Sequence, residues 1–210
     1  IEMGIDDFGQ MTELASIVRP NICILTNIGD CHLENLGDRD GVLKAKTEMF
    51  DYLTGKDHII LNGDDAHLST IKEVNGIKPV FFGMDRKNDI WADGIENSGL
   101  KGEYCNIHTP EGVFRVLVPK PGLHMIYNAM ASTAAGMMLG LSIDEIRRGI
   151  ESQKSLSGRF NIINENGICI IDDCYNANPM SMKASLQSLS RADTRRVAVL
   201  GDMGELGDDE

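Results

Sequence analysis

Residues 40–61 read D-G-V-L-K-A-K-T-E-M-F-D-Y-L-T-G-K-D-H-I-I-L, a helical period that gives way to a glycine and then to a short apolar run. Val42, Lys46, Met49 and Leu53 recur at steps of four, three and four residues, so all four fall on one face of a helix over 40–53. Gly55 stops that helix, and the β-branched run at 58–61 is a strand. One α-then-β unit is therefore written in a single stretch.

The same order appears on both sides of it. Residues 10–18 have helical spacing, Pro20 and Asn21 interrupt, and 22–26 is again apolar and β-branched. A third unit is expected from a helix at 66–74 followed by a strand at 80–82. Strands that alternate with helices predict a parallel sheet. From 90 to 119 the pattern shortens, and 104–108 and 113–118 flank T-P-E-G as an antiparallel hairpin. Helices return at 125–139 and 143–151. Residues 152–157 are polar and weakly periodic, and a new series follows, with strands at 160–163, 168–172 and 197–200 and a helix at 181–189. We therefore expect two α/β domains, 1–153 and 154–210.

The 210 residues are 42% hydrophobic and 25% charged, an ordinary globular composition. Thirty-two acidic against 20 basic residues give a net charge of −12, which would repel nucleic acid and anionic membrane surfaces, so neither is an expected partner. No apolar run approaches the roughly 20 residues of a membrane span. The five cysteines form no C-x-x-C pair, which predicts a reducing, cytoplasmic setting rather than a disulfide framework. The opening I-E-M-G lacks an initiator Met, so the natural N-terminus is expected elsewhere.

Several residues could carry chemistry. Lys46 on the apolar helix face is either a snorkelling side chain or an amine held inside a site. Asn27, Asp30, His32 and Glu34 follow the strand at 22–26, at the carboxyl edge where α/β sheets bind ligands. His32 is either structural or a ligand for a divalent ion, with Glu2 as a candidate partner. The run I-I-D-D-C-Y-N-A-N-P at 170–179 is a strand entering a polar turn, and Asn178 with Pro179 would also begin a helix. The glycines of L-G-D-M-G-E-L-G at 200–207 suit close backbone approach but lack G-K-[ST].

Taken together, T-N-I-G-D-C-H-L-E-N-L-G (26–37), K-A-K-T-E-M-F (44–50), P-G-L-H-M-I-Y-N-A (121–129), S-G-R-F (157–160), D-D-C-Y-N-A-N-P-M-S-M (172–182) and L-G-D-M-G-E-L-G resemble the Mur ligase family over nearly the whole chain. Y-N-A-N-P with S-M, and G-D-M-x-E-L-G, resemble the branch that joins D-alanyl-D-alanine to UDP-N-acetylmuramoyl-tripeptide with ATP.

The resemblance implies a fold and a set of roles. The fold is α/β: a central ATPase-type, mostly parallel sheet with an antiparallel hairpin region, then the start of a Rossmann-like domain. Lys46 matches a lysine that becomes carbamylated, and Glu2, His32 and Lys46 together match holders of Mg²⁺, with Lys46 and His32 the implied catalytic residues. Asn128 matches an adenine contact, Arg159 an arginine that reaches ATP phosphate, and Asp173 a ribose contact. Tyr175, Asn176 and Asn178 match the turn near the nucleotide; Asn27 is expected to contact substrate from its place at the carboxyl end of the strand at 22–26. The partners implied are the UDP-linked tripeptide and D-alanyl-D-alanine, with the enzyme a cytoplasmic monomer of cell-wall precursor synthesis. Residues 152–157 would contain a hinge.

The chain departs from the family by lacking the G-T-x-G-K-[ST] phosphate loop and the uridine-binding domain, and its second domain stops soon after G-E-L-G. By itself it is expected to be inactive. Alternatives are a sibling Mur or folylpolyglutamate-type ligase and a nucleotide-binding module without catalysis.

Overall fold

The computed structural model describes residues 1–154 and 157–204. Helix α1 (Gln10–Val18) leads to strand β1 (Ile22–Leu25), a one-turn helix α2 (Leu33–Leu36) and helix α3 (Arg39–Thr47). Strands β2 (His58–Asn62), β3 (Val80–Gly83), β4 (Ile90–Asn97), β5 (Glu103–Thr109) and β6 (Gly112–Val118) follow, then helices α4 (Leu123–Met138) and α5 (Ile143–Glu151).

The six strands form one sheet in sequential order, parallel from β1 to β4 and antiparallel from β4 to β6. Strand β2 is buried on both faces, as an interior parallel strand should be. Ile59 and Leu61 join a core with Met11, Ala15 and Val42 of α1 and α3, whereas Ile60 joins Phe82, Ile107, Ile126 and Met130 on the α4 side. The sheet is thus the middle of three layers.

Beyond α5, β7 (Asn161–Glu165) and β8 (Ile168–Asp172) make a separate antiparallel hairpin, and α6 (Pro179–Leu189) follows. Asn178 caps α6 through Ser181, with Pro179 in its first turn, as expected from the sequence. No helix among the described residues is long and apolar enough to cross a membrane.

Three sequence expectations are corrected. The helix over 66–74 is only a 3-10 turn, Leu68–Thr70. Asp65 accepts from the backbone N–H groups of His67 and Leu68, which tightens the first turn, and Asn75 and Gly76 take φ of 51° and 80° in a tight turn bridging Val74 to Ile77. Two central residues with positive φ are the N-G hairpin signal. The helix over 40–53 is α3 followed by a 3-10 segment, Glu48–Tyr52. The strand over 197–200 does not form: Val197 and Val199 are exposed, and neither described sheet includes them. The expected hinge includes residues 155–156 and the glycine loop includes 205–207, which lie outside the described residues.

Candidate functional site

The carboxyl ends of β1, β2 and β3 carry loops that are pinned to one another. The Asn62 side-chain amide donates to the Thr26 carbonyl at 2.9 Å, and Asp65 accepts from the Ile28 N–H at 2.8 Å. Both hold the loop that bears Asn27 and His32. Asp64 gathers the next two elements. It accepts from Tyr127 Oη of α4 at 2.8 Å, from Asn88 Nδ2 at 2.9 Å and from the Met84 N–H at 2.5 Å. Burial pushes the Asp64 carboxyl up, but these bonds and the Asp85 N–H outweigh it and hold the group below the ordinary range. A Cβ at Gly83 would stand 2.6 Å from the Asp64 carboxylate, so any larger residue there would have to displace this bonded cluster.

These ties fix where the expected residues sit. Asn27 is exposed, and its amide lies 3.5 Å from Thr26 Oγ1. His32 is half-buried with left-handed backbone (φ 54°) at the start of α2. Asp30 is engaged in a bidentate pair with Arg39 at 2.7 and 2.6 Å, which holds its carboxyl below the ordinary range. Lys46 is half-buried near the end of α3, while Val42, Met49 and Leu53 of its stripe are buried.

Arg159 lies between the N-terminal segment and the turn after β8. Its guanidinium lies 4.1 Å from the centre of the Tyr175 ring, and Nη2 is 4.0 Å from Glu2 Oε1. Asp173 stands beside it, accepting from the Phe160 N–H at 2.9 Å and from the Ser185 hydroxyl. Asn176 accepts from the Ala177 N–H at 2.8 Å, and the Asn178 side chain is occupied in capping α6. Asn128 projects from α4 at a cavity of about 330 Å³ between α4 and α5, lined also by Met125, Ser132, Glu145 and Gln153.

The structure therefore unites Glu2, Arg159 and Tyr175, with Asp173 adjoining. Among the described residues, no group of three or more His, Cys, Asp or Glu side chains could hold a metal ion. Mg²⁺ ordinarily takes few protein ligands, mostly oxygens, with phosphate oxygens and water; the residues that would hold it are Glu2 and His32, with Lys46 as a carbamate. Sequence reasoning missed Asp64, Asp65 and Tyr127. The string N-G-D-D directly after a buried parallel strand is the signal that could have found the first two.

A mostly parallel α/β sheet whose carboxyl-edge loops are tied together by Asp64 and Asp65 belongs to the class of open α/β folds in which ligands bind at that edge. Residues 1–136 match the model of the Mur ligase middle domain, and residues 158–210 that of the Mur ligase glutamate ligase domain; the chain belongs to the Mur ligase family. It is 36% identical over 210 residues to the UDP-N-acetylmuramoyl-tripeptide–D-alanyl-D-alanine ligase of Escherichia coli, covering 99% of this chain and 46% of that protein. Its fold is similar to a crystal structure of MurF from Acinetobacter baumannii (TM-score 0.92, 34% identity, 100% of this chain and 46% of that one). It is also similar to a MurF ligase from Thermotoga maritima in complex with ADP (TM-score 0.85, 28% identity, 99% and 48%). The chain spans about half the length of the relatives it matches.

Proposed function

We propose that this chain is the nucleotide-side part of an ATP-dependent ligase that joins D-alanyl-D-alanine to UDP-N-acetylmuramoyl-tripeptide in the cytoplasm. The observation that carries the reading is similarity to ligases of that name across 99% of the chain, spanning both of its family domains. The folylpolyglutamate-type alternative has weaker support: a synthetase of that kind from L. casei shares the fold at 17% identity.

In this reading the tripeptide carboxylate attacks the γ-phosphate of ATP, releasing ADP. The amine of D-alanyl-D-alanine then displaces phosphate from the acyl phosphate to form the amide. The protein contributes position and charge rather than covalent chemistry. Arg159 neutralises phosphate charge, Asn128 contacts adenine at the α4–α5 cavity, and Asp173 meets ribose through lone pairs left by Phe160 and Ser185. Tyr175 supports the Arg159 guanidinium, Asn176 borders the nucleotide, and Asn178 sets the turn by capping α6. Glu2, His32 and a carbamylated Lys46 would hold Mg²⁺, which adds positive charge at the phosphates, and Asn27 faces substrate. We place the domain boundary at 153/154, between the two family matches.

The test is to purify the whole protein that carries this sequence and supply ATP, Mg²⁺ and UDP-linked tripeptide with D-alanyl-D-alanine, or with single amino acids instead. Amide product only with the dipeptide supports the reading. Product with glutamate or another single amino acid, and none with the dipeptide, would overturn it.

A further inference from the structure

Glu103 opens strand β5 and is buried, with 3% of its surface exposed. A carboxylate withdrawn from water needs a compensating partner, because desolvation of an unpaired charge is costly. Among the described residues, the hydrogen-bond donor that the first domain supplies to this carboxylate is the Gly122 N–H at 3.2 Å. The cationic partner arrives from the far end of the chain: Arg191, just beyond α6, binds the same carboxylate oxygen.

A second contact lies close by. Lys120, which is 9% exposed, donates from Nζ to the Arg159 carbonyl at 3.0 Å. Residues 103 and 120–122 are brought together by the β5–β6 register, which pairs Glu103 with Val118. One corner of the sheet thus grips the second domain at two points, Arg159 at its start and Arg191 after its helix. Between those points lie Asp173 and Tyr175. Burial holds the Lys120 amine below the ordinary lysine range, the largest influence on it, so this corner is dry enough for its polar contacts to matter.

We propose that Glu103 is a positioning residue: by anchoring Arg191 it sets where the second domain, and with it the Arg159 side chain, stands over the carboxyl edge of the sheet. The role given to Arg159 rests on the function proposed above; the positional part does not. Glu103 acts through Arg191 and touches no substrate in this scheme.

The test uses the chain's single tryptophan, Trp91 in β4, as a donor and an acceptor dye on Cys169 in β8. Cys31 and Cys174 are replaced by serine so that Cys169 is the only accessible thiol, since Cys23 and Cys105 are buried and desolvation pushes both thiols up to about 11. Time-resolved energy transfer should report one narrow distance distribution in the parent. Arg191→Met should broaden and shift it, and Arg191→Lys should restore it. The double variant Glu103→Gln/Arg191→Met buries no unpaired charge and so keeps the fold, and it too should show the altered distribution. Unfolding equilibria of the four corners of that cycle should show coupling of at least about tenfold, whereas independent sites combine within about twofold. Parental energy transfer in the folded double variant, or additivity within twofold, would overturn the proposal and leave the ligase reading standing. Altered transfer with no ligase product in the whole protein would do the reverse.

Discussion

The Glu48 carboxylate accepts both the backbone N–H and the hydroxyl of Thr12, at 3.1 and 3.0 Å, across 36 residues of sequence. It also accepts the Gly9 N–H at 2.9 Å. Helix α1 begins at a glycine with no side-chain cap of its own, and a carboxylate from outside the helix satisfies donors that would otherwise be orphaned and meets the positive end of the helix dipole. The residue that does this lies two positions after Lys46, so the K-T-E string ties α3 to α1.

Glu48→Ala should therefore destabilise the chain by about 1–3 kcal/mol, the cost of stranding partly buried donors. Glu48→Gln should recover part of this, because an amide oxygen still accepts. Urea denaturation followed by circular dichroism checks both, and an Ala variant as stable as the parent would remove the cap from the account of the fold.

Asp64 gives a pH dependence with a defined sign. Its folded pKa is depressed: burial raises it, and the donors Tyr127, Met84, Asn88 and Asp85 together lower it by more. A depressed carboxyl contributes stability that is fully present above its unfolded value, about 4, and is lost as pH falls through the folded value. Asp64→Asn should thus be destabilised relative to the parent at pH 7, with the gap closing below about pH 4. A gap that stays constant from pH 7 to pH 2 would show that the carboxylate charge contributes nothing.

Arg159→Ala in the whole ligase should lower turnover by roughly 10²–10³-fold, the usual loss when one donor to developing charge is removed. The fold should hardly change, because the Arg159–Glu2 pair is exposed on both sides and such pairs contribute about 1 kcal/mol or less. Steady-state kinetics with a thermal melt separates the two effects, and unchanged kcat would take Arg159 out of the mechanism.

The 210-residue chain alone should form no product from ATP, tripeptide and dipeptide, since it contains no G-K-[ST] phosphate loop to neutralise the β- and γ-phosphates. A product assay by mass spectrometry is sufficient. Ligation by the isolated chain would mean that the phosphates bind elsewhere on it.

What the sequence made legible depended on how local the determinant was. Strands β1 and β2 and the α5 and α6 boundaries follow from short-range pattern, and Asn178 with Pro179 marked a helix start that the structure contains. The 66–74 helix failed because Asp65 and the N-G turn compete for the same backbone, and apolar spacing is blind to that competition. Among the candidate site residues, His32, Lys46 and Arg159 stood out because their residue types are unusual in their local patterns or match family strings. Glu103 and Arg191 could not be read this way: 88 residues separate them, and a glutamate opening a strand looks like any exposed edge charge until the fold buries it.

Lys46 carries the last prediction. Its stripe partners Val42, Met49 and Leu53 are buried and Lys46 itself is half-buried, so the amine lies at the boundary between core and solvent, on the helix that Glu48 locks to α1. A protonated amine next to a Mg²⁺ held by Glu2 and His32 would repel it; a carbamate reverses the sign and presents two oxygens of the kind Mg²⁺ accepts. Forming the carbamate requires the neutral amine and carbon dioxide, which join with loss of a proton, so turnover should respond to bicarbonate at fixed pH. In the whole ligase, Lys46→Ala should nearly abolish turnover at saturating ATP and Mg²⁺, and short carboxylic acids should restore part of it by refilling the space the carbamate left. Near-normal turnover in Lys46→Ala would return Lys46 to the other reading open from the sequence, a side chain whose stem covers the core while its amine reaches water.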